Sequence, residues 1–160
     1  MKPLFLLVSF GVLLLGSCQA PVAPNASAVN APEYFPVQRK ANPPLPFSEA
    51  VRVGDMLYLA GQLGTTPGTI DLVPGGIGPE TIQVMENIKA VLERHGTSLE
   101  HAVKCTVFLA DIKEWPAFNE AYRQYFKKNL PARSALGTSG LALGARVEVE
   151  CIAWIPPAAK

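Results

Sequence analysis

The chain has 160 residues, 49% of them hydrophobic and 17% charged, which is the make-up of one folded domain and excludes a disordered segment or a pair of domains. Against 14 Lys and Arg stand 13 Asp and Glu, a net charge of +1, so no basic excess exists to grip a phosphate backbone and no nucleic-acid partner is expected. The 3 cysteines are too few for a disulfide scaffold and lack any metal-ligand spacing.

Residues 1–17 read as a signal peptide of the lipoprotein type. Lys2 precedes an apolar run from Leu4 to Leu15, too short to span a bilayer as a mature helix, and small residues follow. The run ends in Leu15-Gly16-Ser17-Cys18, which resembles the lipobox of bacterial lipoproteins. That resemblance implies lipidation of Cys18 and export to the periplasm or cell envelope, with the membrane reached through the N-terminal lipid only. Gln19, rather than Asp, after the cysteine points to the outer membrane in a Gram-negative host. A plain signal peptide cut near Ala20 is the alternative. Residues 18–33, rich in Ala, Pro, Asn and Ser, form a flexible tether.

The folded domain is expected over 34–160. Short strands are predicted at 34–39, 48–53 and 56–61, with a turn at Gly54-Asp55. An irregular loop runs from Gly64 to Gly78, and Pro79 opens a helix. Ile82, Met85, Ile88 and Leu92 form that helix's apolar stripe, widened by Val84 and Val91, and Gly96 closes it. A strand at 102–110 places Val103, Cys105, Val107 and Leu109 on one face. A second helix starts near Trp115, carries Phe118, Ala121, Tyr122, Tyr125 and Phe126 inward, and ends at Lys127-Lys128. Strands at 133–139 and 145–155 complete the order βββαβαββ. In the last strand Val147, Val149, Cys151, Ala153 and Ile155 alternate with Glu148, Glu150, Ile152 and Trp154.

Two helices cover one face of such a sheet and leave the other bare. That second face mixes carboxylates with Ile152 and Trp154, a mixture that suits an oligomer interface containing a pocket.

Few residues offer chemistry. His95 and His101 flank a turn without a carboxylate or cysteine at ligand spacing, so they are read as exposed or capping. Gly75-Gly76-Ile77-Gly78 lacks a phosphate-loop pattern and is read as a turn. Cys105 and Cys151 are read as buried free thiols. Arg133 opens an extended segment with no acidic residue close in sequence, and Glu148 sits on the mixed face. They fit either a surface ion pair or a site in which a planar guanidinium grips a small carboxylate and a carboxylate holds a water.

A set of ordered motifs bears on that choice: Leu59-Ala60-Gly61-Gln62, the helix end from Glu86 to Gly96, KCTVFLADI at 104–112, Phe118-Asn119-Glu120-Ala121-Tyr122, PARSA at 131–135 and ARVEVECIA at 145–153. From about Pro44 to Ile155 the chain resembles the YjgF/RidA family of reactive-intermediate deaminases. The resemblance implies a chorismate-mutase-like α+β fold, a mixed sheet with two helices on one face, assembled as a homotrimer with clefts between subunits. It implies hydrolysis of 2-imino or enamino acids to 2-keto acids and ammonia, with no metal or organic cofactor, because a protonated imine is already electrophilic. Carried over by motif, Arg133 would hold the substrate carboxylate and Glu148 would orient the attacking water. Gly61 would meet the imine nitrogen side through its backbone, and Asn119 would line the cleft. Two positions depart from the family pattern. Phe47, after Pro46, stands where the family has tyrosine, and Ala135 replaces a cysteine, a position that can still serve through its backbone N–H. The alternative function is a non-catalytic trimeric module that binds small carboxylates or a protein partner at the envelope.

Overall fold

The computed structural model describes residues 31–38 and 43–157. The leader 1–17, the lipidation site Cys18 and the tether as far as residue 30 lie outside the described residues. The last tether residue, Glu33, is already the first of a strand.

Seven strands and two helices follow in order: β1 Glu33–Pro36, β2 Ser48–Val53, β3 Met56–Leu59, β4 Gln62–Leu63, α1 Ile77–Arg94, β5 Ala102–Leu109, α2 Trp115–Tyr122, β6 Ala132–Gly137 and β7 Val147–Trp154. They form one mixed sheet of order β1-β2-β3-β7-β5-β6, with β4 also paired to β7. Every pairing is antiparallel except β5 with β6, which α2 joins as a crossover. Gly54, at φ 59, lets β2 and β3 close in a two-residue turn between Val53 and Met56. Both helices bury into the same core as Leu57, Leu59, Val107, Val147 and Val149, so they share one face of the sheet. This is the expected α+β architecture.

Several details differ from the sequence expectations. The strand expected at 56–61 breaks at Ala60 and Gly61 into β3 and β4. Helix α1 starts at Ile77, two residues before Pro79, which falls within the first turn, where its missing N–H has no intrahelical partner to lose. The buried arc of α1 runs Thr81, Val84, Met85, Ile88, Val91, Leu92, and Ile82 lies beside it, exposed. Val103 also faces out, because the pairing of β5 with β7 slips between Ala102 and Lys104 and reverses the alternation there. Chain 123–125 continues α2 as a tighter turn, so Lys127-Lys128 lie beyond the helical run instead of on its last turn.

The free-thiol reading is overturned. Cys105 and Cys151 are register partners on β5 and β7 with Cα atoms 4.1 Å apart, and they form a disulfide. Both face the helices and are at most 1% exposed. Two thiols opposite each other on neighbouring strands lie within bridging range, but a pairing across 46 residues depends on sheet order, which strand-by-strand alternation does not specify.

Candidate active site

The carboxylate of Glu148 is held by a gap in the neighbouring strand. Along β7, Val147 and Val149 enter the core, and Glu148 points to the uncovered face beside its register partners Phe108 and Leu63. Gly61, in the break between β3 and β4, lies against it: a Cβ built on Gly61 would collide with the Glu148 carboxylate. The break and the glycine are thus the shape of a seat for this side chain. Partial burial, and then the negative charge of Glu150, push the Glu148 pKa above the usual carboxylate value.

Arg133 is held from the other side. On β6 it sits opposite Cys105, facing the helices, with its guanidinium carbon 4.7 Å from the ring centroid of Tyr122 and 5.5 Å from that of Phe118. Two aromatic rings of α2 therefore make a platform for the cation. No carboxylate of the described residues lies within ion-pair distance of it. Beneath it, the buried Tyr122 hydroxyl has no hydrogen-bond partner among the described residues. Burial pushes that phenol up to about 12 against the opposing pull of Arg133. Ala135 shares the helix-facing side of β6, partly buried, and Asn119 lies next to Phe118 on α2, its backbone carbonyl accepting from Arg123 Nε.

One chain therefore does not assemble the expected set. Phe47 and Gly61 line a cavity of about 350 Å³, and Glu148 adjoins it at Gly61. The cavity is also walled by Asn87, Ala90, Val91 and Arg94 of α1, whereas Arg133, Ala135 and Asn119 lie at the β6 edge on the helix-facing side, away from Glu148. Arg133 and Glu148 leave the sheet on different sides, a parity that follows once Arg133, Cys105 and Cys151 share a row and Glu148 is three residues along.

Some contributors had no sequence signal. The aromatic platform under Arg133 required the α2-to-β6 packing. Leu143, which also lines the cavity, has φ 60, and nothing in its type announces a left-handed conformation. His95 caps the end of α1, with its ring 4.1 Å from that of Phe35 and Nε2 3.4 Å from Glu49 Oε1, and the buried Glu49 also pairs with Arg94. This capping role agrees with its reading from sequence.

Two helices on one face of a mixed sheet, a carboxylate on the other and an arginine on the edge strand define a class of small α+β domain. The family model described as Endoribonuclease L-PSP matches residues 38–155. The chain is 44% identical over 108 residues to the 2-iminobutanoate/2-iminopropanoate deaminase of Capra hircus, covering 68% of this chain and 79% of that one. Among solved structures, yeast YEO7 superposes with a TM-score of 0.73 at 36% identity, covering 79% of this chain and all of its own. TdcF of E. coli with bound serine gives 0.68 at 28% identity, covering 76% of this chain and 98% of its own. The chain belongs to this family, the YjgF/RidA (endoribonuclease L-PSP) family, whose relatives named above include an imine deaminase.

Proposed function

We propose that this protein hydrolyses 2-imino acids, or their enamine tautomers, to 2-keto acids and ammonia in a cleft between two copies of the chain. The observation that carries the reading is the Glu148 carboxylate, raised in pKa and seated against Gly61 on an uncovered sheet face. A carboxylate shifted toward neutrality is a better base than a free one. In that role it accepts a hydrogen bond from water and turns the oxygen lone pair toward the imine carbon. Attack forms the C–O bond, the C=N electrons move to nitrogen, and proton transfer from oxygen to nitrogen lets ammonia leave. Arg133, poised on its aromatic platform, grips the substrate carboxylate. Positioning of this kind is worth several kcal/mol on its own. Since Arg133 and Glu148 leave the sheet on opposite faces, the edge of one copy must meet the uncovered face of the next, and a cyclic homotrimer satisfies this with three equivalent clefts.

The setting we propose is the cell envelope, with the chain anchored through lipid on Cys18. Support comes from the order of charge, apolar run and small residues before Cys18, and from the Cys105–Cys151 disulfide, since such bonds persist mainly in oxidising compartments. A second reading, a trimeric module that binds small carboxylates without turnover, draws on Phe47 and Ala135, which replace two functional groups of the family pattern.

The test is turnover of freshly generated 2-iminopropanoate and 2-iminobutanoate. Arg133→Ala should chiefly raise KM, since it removes charge-assisted bonds of about 1.5–3 kcal/mol each, and Arg133→Lys should restore little. Glu148→Gln should lower kcat more than it changes KM. A folded wild type that accelerates neither imine would hand the site to the binding-module reading.

A further inference from the structure

We infer that the cavity beside Gly61 receives the substrate side chain, and that the preferred imino acids carry branched or aromatic apolar groups larger than methyl or ethyl. The inference rests on the hydrolase reading and names its substrate class.

Position comes first. Gly61 lines the cavity and also touches the Glu148 carboxylate. Leu63 lines it too, and it is the cross-strand partner of Glu148. A substrate whose reacting carbon lies at Glu148 therefore has this space adjoining it.

The lining then sets the chemistry. Phe47, Leu63, Val91 and Leu143 present apolar surface. The principal polar groups of the wall are engaged within the chain. The Asn87 amide donates to the carbonyls of Leu63 and Thr65 and accepts from Gln83, and Arg94 pairs with Glu49. A volume of about 350 Å³ is of the size that small ligands occupy, and a methyl group would leave most of it empty.

Leu143 supplies an independent observation. Among the described residues it is the one non-glycine with positive φ, at 60°, and it is 53% exposed. Glycine would adopt this backbone without penalty, and an exposed leucine gains little for the fold in return. A large apolar side chain held at a strained, solvent-facing position beside a cavity points to a contact outside the fold. The substrate side chain is that contact.

The experiment uses the full-length protein with imines generated from alanine, leucine, phenylalanine and glutamate. Alongside these, calorimetry compares pyruvate with 4-methyl-2-oxopentanoate. We expect kcat/KM for the leucine-derived imine to exceed that for the alanine-derived one by about tenfold or more, and the branched keto acid to bind more tightly in similar proportion. Leu143→Gly should lower that ratio at least threefold without lowering the melting temperature, since glycine suits the backbone. Ala90→Phe, filling the cavity from an exposed position on α1, should lower the ratio as well. Equal preference for alanine- and leucine-derived imines with equal keto-acid binding overturns the inference and leaves the hydrolase reading intact. Preference for the glutamate-derived imine also overturns it, in favour of Arg94. Selective binding of the branched keto acid, weakened by Leu143→Gly but with no imine hydrolysed, supports the pocket and overturns the hydrolase reading.

Discussion

At position 61 a methyl group has nowhere to go. Its Cβ would occupy the space of the Glu148 carboxylate, so Gly61→Ala should force that side chain out of its seat. We expect kcat to fall at least tenfold with little loss of stability, since only the end of a flexible side chain has to move, read from steady-state rates and urea midpoints. Unchanged turnover would mean that the Gly61–Glu148 contact is not part of the site. The motifs around Gly61 and Glu148 single out both residues in the sequence as candidates. Their mutual contact was not legible there, because it depends on the break between β3 and β4, where Gly61 leaves room for the Glu148 carboxylate. Phe47 was legible as a departure, and Leu143 was not legible at all: a leucine in a left-handed turn looks like any other leucine.

Helix α2 and the β5–β7 pair carry consequences of their own. Tyr122, beneath Arg133, and Tyr125, whose hydroxyl donates to Glu86 Oε1, are both raised to about 12. Burial is the main cause in each, and for Tyr125 the Glu86 carboxylate adds to it. Between pH 10 and 12 the folded chain keeps protons that the unfolded chain releases. Stability is therefore fully present below pH 10 and declines as pH rises through that window. Urea midpoints measured from pH 9 to 12 should fall, and Tyr122→Phe should flatten part of the decline. An identical slope in that variant would contradict the assignment. Because the Tyr122 hydroxyl is buried without a partner among the described residues, the same substitution should cost little or nothing at neutral pH. In the sheet, the Cys105–Cys151 bond ties the strand of Glu148 to the strand beside Arg133. Its replacement by the double Cys→Ala variant should cost about 2–4 kcal/mol, again by urea melts, and a loss near zero would mean that the thiols are unpaired in the purified protein. Alternation alone identified both cysteines as inward-facing. The bond needed the register of two strands that the sequence separates by a helix and an edge strand, just as the exposed Val103 needed the slip in that register.

At the scale of the molecule, two helices cannot cover a seven-stranded sheet on both faces, and that was readable from the element order. The uncovered face bears Ile152, Tyr58, Phe108 and the half-exposed Trp154 next to Glu148 and Glu150, which suits contact with a neighbour around a polar site. Light scattering at micromolar concentration should give three times the chain mass, and a stable monomer would remove the cleft. What the motifs alone did not convey is that Arg133 and Glu148 belong to opposite faces, so that a shared site must draw them from different copies. That claim has a direct measurement. Arg133→Ala and Glu148→Gln chains are mixed in equal amounts under mild denaturant, allowed to exchange subunits and assayed on 2-iminopropanoate well below the KM of Arg133→Ala, where each alone is nearly inactive. If each cleft takes its arginine from one copy and its glutamate from the next, random cyclic trimers restore about a quarter of the wild-type sites. Activity no greater than the sum of the two variants, with exchange verified by mass, would contradict the account.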